Sequence, residues 1–131
     1  MNPASDPSPR HEAATILIVE DEVLIRLAIA EHFRSEGLRV IEAQNGEEAL
    51  SLLGSVEAVD LVITDVRMPG AIDGVTLAQS VKRDHQLPVI LVSGHYGAMM
   101  PISIADAFFA KPYNFDAVFA VAVDLLKNPR P

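Results

Sequence analysis

The sequence predicts a doubly wound α/β domain, a five-stranded parallel sheet with helices on both faces. Three observations predict it. Residues 16–19, 59–64 and 88–92 are short, mainly apolar runs rich in Val and Ile. They lack polar alternation, as strands covered on both faces do. The stretches between them carry apolar residues at spacings of three and four, the period of a helix. Strand and helix patterns then alternate along the chain, and right-handed crossovers place helices on both sides of such a sheet.

Taken in order, residues 1–14 hold three of the nine prolines among Ser, Asn and Asp. So little apolar surface does not offset the entropy of ordering, so a disordered tail is expected, with the domain spanning 15–127. Ile16 to Val19 form the first strand, which runs into Glu20, Asp21 and Glu22. A helix follows over 23–36, with Val23, Leu24, Leu27, Ala30 and Phe33 as its apolar stripe and Gly37 as its stop. Residues 38–41 read as the second strand, and Asn45-Gly46 open a helix that ends near Gly54. The third strand, 59–64, again ends on an acid, Asp65. A loop through Met68-Pro69-Gly70 leads to Asp73-Gly74 and a helix from Val75 to about Arg83.

The fourth strand, 88–92, ends at Ser93-Gly94, and the fifth, 108–110, ends at Lys111-Pro112. Between them Gly94, Gly97 and Pro101 oppose a regular helix, so the fourth helix is expected to be short or irregular beside a mobile loop. Asn114 is a good cap for a last helix through Val118, Val121 and Leu125 to Lys127. Residues 128–131, Asn-Pro-Arg-Pro, form a second expected tail.

Composition narrows the function classes. A chain of 131 residues, half of them hydrophobic, suits one packed domain. The formal net charge is −8 and no basic stripe exists, which argues against direct nucleic-acid binding. With no cysteine there are neither disulfides nor thiolate metal sites. No apolar run approaches the roughly 18 residues of a membrane span. The N-terminus has prolines and acids where a secretion signal needs an apolar stretch. A soluble cytoplasmic protein is the expectation.

In sheets of this kind ligands bind beyond the carboxyl ends of the strands. Glu20, Asp21, Asp65, Ser93 and Lys111 all lie just past predicted strand ends. Alone, each is an ordinary turn or cap residue; together they place one set of charges at one edge. Two carboxylates about 4 Å apart repel by about 4 kcal/mol at an effective dielectric near 20, so three require a cation. Hard oxygen ligands beside an open face suit Mg²⁺, which retains waters and accepts phosphate oxygens. One carboxylate can then act as a nucleophile toward phosphorus. Lys111 offers positive charge to a phosphoryl group, and the Ser93 hydroxyl offers a hydrogen bond.

The segments ILIVEDE (16–22), LVITDVRMPG (61–70), DG (73–74), PVILVSG (88–94) and FFAKP (108–112) resemble the response-regulator receivers of bacterial two-component signalling. The resemblance spans roughly residues 14–127. It implies a flavodoxin-like strand order 2-1-3-4-5 and a stand-alone regulator like those of chemotaxis. It makes Asp65 the phospho-acceptor, with Glu20, Asp21, Asp65 and the Arg67 main-chain carbonyl as Mg²⁺ ligands and Ser93 and Lys111 on the phosphoryl group. Ser93 and Phe108 become the switch pair, and Pro112 follows a cis peptide bond. Arg67 and His95 occupy positions that tune phosphoryl lifetime. The implied donor is a histidine kinase or histidine phosphotransfer protein. The implied output is a protein target bound on the face of the fourth helix, fifth strand and fifth helix.

Several positions depart from the family's usual form. Glu20 stands where aspartate is commoner, the loop after Asp65 is one residue longer, and Phe108 replaces the more familiar tyrosine. Residues 94–107 are shorter than usual and resemble an alphaproteobacterial subgroup with an atypical fourth helix. Rival functions are a phosphate sink, which would use the same residues, or a phosphorylation-independent pseudo-receiver, and the full set of five site residues stands against the second. A phosphatase or nucleotide-binding enzyme is disfavoured because no glycine-rich phosphate loop follows the first strand. The chain is thus expected to catalyse only its own phosphorylation and dephosphorylation.

Overall fold

The computed structural model describes residues 14–55, 58–94 and 104–128. Five strands, β1 (Thr15–Val19), β2 (Arg39–Ala43), β3 (Leu61–Asp65), β4 (Val89–Ser93) and β5 (Ala107–Ala110), form one sheet. All pair in parallel, in the order β2-β1-β3-β4-β5, as the resemblance implies. Four helices are present among the described residues: α1 (Val23–Ser35), α2 (Gly46–Ser55), α3 (Gly74–Ser80) and α4 (Phe115–Lys127). The expected fourth helix, the subgroup likeness and His95 fall largely or wholly on residues 95–103, outside the described residues.

Every residue of β1, β3 and β4 is buried, which accounts for the apolar runs at 16–19, 61–63 and 89–92 within them. Successive side chains go to opposite faces. Ile16, Ile18, Ile63 and Val92 join Phe33 of α1 and Val118 and Leu125 of α4 in one core. Leu17, Val19, Val62 and Leu91 join Ala49 of α2 and Leu77 of α3 in the other. Two helices therefore cover each face.

The structure corrects the buried face of α1. Val23, Leu24 and Leu27 are 52, 81 and 48% exposed, whereas Ile29, Ala30 and Phe33 are buried. The helix begins with VLIRLAIA, apolar around most of its circumference, so spacing alone left its rotation open. Packing of Ile29, Ala30 and Phe33 into the core sets it. His32 sits between the rings of Phe33, Phe115 and Phe119, with Nε2 3.1 Å from Asp116 Oδ1. The second strand lies over Arg39–Ala43, further along than expected. The helix after Asp73 continues as a wider π-helical turn, Val81–His85, closed by the Gln86 N–H donating to the Val81 carbonyl at 2.8 Å.

Candidate functional site

The carboxyl ends of β1, β3 and β4 deliver the acids and the serine to one edge. Asp65 is the last residue of β3 and Glu20 follows β1 directly. Both are buried, while Asp21 is exposed. One carboxylate oxygen from each of Glu20, Asp21 and Asp65 lies within 4.8 Å of the others, and such a donor set fits a hard divalent cation. Ser93 is buried at the end of β4, and its carbonyl accepts the Lys111 N–H at 2.8 Å.

Lys111 follows β5 directly, and its ammonium points back over the acids. Nζ donates to Glu20 Oε1 at 2.8 Å and to Asp65 Oδ2 at 2.9 Å, and lies 3.7 Å from Glu22 Oε1. Burial disfavours this ammonium, but its hydrogen bonds to Glu20 and Asp65 prevail and raise its pKa. Burial pushes the Glu20 carboxyl up to about 7. The bonds from Lys111 and the Glu22 N–H resist that rise, and the Asp65 charge adds to it. An edge that holds its carboxylates so closely, and so short of water, gains from any further positive charge.

The loop after Asp65 is held by close backbone approaches. The Gly74 N–H donates to the Val66 carbonyl at 2.8 Å. A Cβ on Gly74 would lie 2.0 Å from the Asp65 carbonyl oxygen, so only glycine permits α3 to start there. Asp73 caps that helix, its Oδ1 accepting the Thr76 N–H at 2.8 Å. The loop is pinned to α2: the Ala71 N–H donates to Glu47 Oε2 at 2.9 Å, and Gly70 takes a positive φ of 100°. Arg67 is exposed, and its N–H approaches Asp65 Oδ1 at 3.4 Å.

Phe108 is half-buried on the α2–α3 side of the sheet, paired in register with Leu91. The Lys111–Pro112 peptide bond is cis. Beyond it a cavity of about 390 Å³ opens between Ile25, Lys111, Pro112, Tyr113 and Phe115. Sequence reasoning singled out neither Glu22 nor Tyr113, nor Arg26, whose guanidinium holds the Glu20 carbonyl at 2.9 Å. For Arg26 a signal existed, a lone charge inside the apolar start of α1; Glu22 and Tyr113 carried none.

A parallel sheet in this order gathers three acids and a lysine at its carboxyl edge. The family model for the response regulator receiver domain matches residues 16–122, and the chain belongs to that family of two-component systems. It is 35% identical over 130 residues to the transcriptional activator protein PfeR of Pseudomonas aeruginosa, covering 96% of this chain but 40% of PfeR. It is 34% identical over 109 residues to sporulation initiation phosphotransferase F of Bacillus subtilis, covering 79% of this chain and 86% of that protein. Among solved structures it resembles the response regulator TrrA of Thermotoga maritima in complex with Mg²⁺-BeF. There the TM-score is 0.77 at 34% identity, over 86% of this chain and 98% of that one.

Proposed function

We propose that this receiver takes a phosphoryl group on Asp65 from a histidine kinase or histidine phosphotransfer protein, and that it works as a cytoplasmic regulator. One observation carries the reading: buried Asp65 shares its edge with the Glu20 and Asp21 carboxylates and with the Lys111 ammonium at 2.9 Å. An Asp65 carboxylate oxygen forms the new bond to phosphorus as the donor's bond to phosphorus breaks. Lys111 pairs with the phosphoryl oxygens, and the Ser93 hydroxyl donates to one of them. Glu20, Asp21, Asp65 and the Arg67 carbonyl would hold Mg²⁺, whose charge offsets that of the incoming group. The likeness to a receiver solved with Mg²⁺-BeF supports that choice of metal.

Output then follows as a population shift: Ser93 moves toward the phosphoryl group, Phe108 packs inward, and the face around β5 and α4 binds a protein target. Half-burial of Phe108 leaves it room for that movement. Arg67, exposed two residues after the acceptor, and His95 tune how fast water removes the group. Incubation with acetyl phosphate and Mg²⁺, followed by intact mass, tests the proposal. Wild type is expected to gain one phosphoryl mass and Asp65→Asn none. An adduct on both proteins, or on neither, would overturn it.

A further inference from the structure

The Glu20 peptide is fixed from both sides, although parallel pairing in register ends one residue earlier at Val19 and Ala43. Its N–H donates to the Ala43 carbonyl at 3.0 Å. Its carbonyl, which has no strand to continue into, accepts from Arg26 Nη1 at 2.9 Å. The same guanidinium donates through Nε to Glu42 Oε1 at 3.0 Å. Glu42 is itself anchored, because Oε2 accepts from Arg34 Nη1 at 3.1 Å, and Arg34 Nη2 donates to the Val40 carbonyl at 3.0 Å. The planar fork of Arg26 is thus set by α1 at its root and by β2 at Nε, and its Nη1 donor aims at Glu20.

Two cations therefore meet the acid edge in different ways. Lys111 bonds the carboxylates of Glu20 and Asp65 directly and competes with an incoming metal for them. Arg26 bonds Glu20 at its main chain, so it orients the residue without occupying either carboxylate oxygen. We infer that Arg26 is a positioning residue for divalent-cation binding, holding Glu20 so that its carboxylate faces Asp21 and Asp65. The inference rests on the acid edge binding Mg²⁺, as proposed for this receiver. Partners that orient metal ligands typically change affinity by about 10- to 100-fold when removed.

The test is an Mg²⁺ titration followed by amide chemical shifts, with urea unfolding in EDTA measured in parallel. Wild type, Arg26→Gln, Arg26→Lys and Arg34→Gln are compared. Arg34 joins the same helix and strand through the same Glu42, but its second bond goes to the Val40 carbonyl and not to Glu20. Arg34→Gln therefore loosens the clamp alone. Arg26→Gln is expected to weaken Mg²⁺ binding about tenfold. Arg34→Gln should stay within about twofold of wild type, and Arg26→Lys, keeping the charge without the fork, should fall between. Should Arg26→Gln fail to fold, Arg26→Lys decides: weakened affinity supports the inference and wild-type affinity overturns it. Equal affinity in wild type and Arg26→Gln, or equal loss in Arg26→Gln and Arg34→Gln, overturns it and leaves the acid-edge reading standing. Wild type that binds no Mg²⁺ overturns both.

Discussion

Lys111 is the residue on which the acids depend. Its ammonium bonds both buried carboxylates of the edge, 2.8 Å from Glu20 and 2.9 Å from Asp65. Removing one partner of a buried ion pair leaves uncompensated charge, at a cost of about 3–5 kcal/mol. Lys111→Met is therefore expected to lower stability by that amount in EDTA, and added Mg²⁺ should restore more stability than it adds to wild type. Urea unfolding with and without the metal measures both; an equal metal effect in the two proteins would contradict the account. Tyr113 reports on the same edge. Burial, and then the negative charge of Glu20, push its phenol up to about 12. In the unfolded chain it ionises near 10, so the folded state holds its proton longer. Stability from this group is intact below about 10 and is lost as pH rises through about 12. An alkaline absorbance titration of wild type against Tyr113→Phe should show the missing tyrosine as the late-ionising one.

At the scale of elements, the site depends on where strands end and helices begin. Gly74 lets α3 start against the Asp65 backbone, where a Cβ would lie 2.0 Å from a carbonyl oxygen. Gly74→Ala should push the helix start away, costing about 1–3 kcal/mol as overpacking does, and should slow labelling of Asp65 by acetyl phosphate. Denaturant midpoints and the time course of the mass adduct check the two halves of that expectation. The strand ends were legible in the sequence because a mainly apolar run that stops on an acid suits the end of a buried strand, as at Val19-Glu20 and Thr64-Asp65. Asn114 was legible as a cap, and its Oδ1 accepts the Ala117 N–H at 3.0 Å. The rotation of α1 was not, because its first two turns are apolar on nearly every side and only packing selects a face. Glu22 was also hidden, and Arg26 showed only as a lone charge in the apolar start of α1, since their partners are residues that periodicity does not connect.

Across the whole molecule, one sheet gathers residues separated by as many as 91 positions, as between Glu20 and Lys111, onto a single edge. The cores on its two faces fix β1 and β3 side by side, so Glu20 and Asp65 cannot separate to relieve their repulsion. Lys111 offsets that charge at the carboxylates, and Arg26 fixes the Glu20 main chain from outside. The exposed Val23, Leu24 and Leu27 lie on the first two turns of α1, which starts directly after this edge. In the proposed function this assembly concentrates reactivity toward a phosphoryl group on one buried carboxylate, Asp65. The most direct measurement locates that group. After reaction with acetyl phosphate and Mg²⁺, borohydride reduces an acyl phosphate to the alcohol, and peptide mass mapping finds the residue converted. Homoserine is expected in place of Asp65, with Glu20 and Asp21 unchanged; conversion at either of those acids, with Asp65 intact, would overturn the assignment of Asp65 as acceptor.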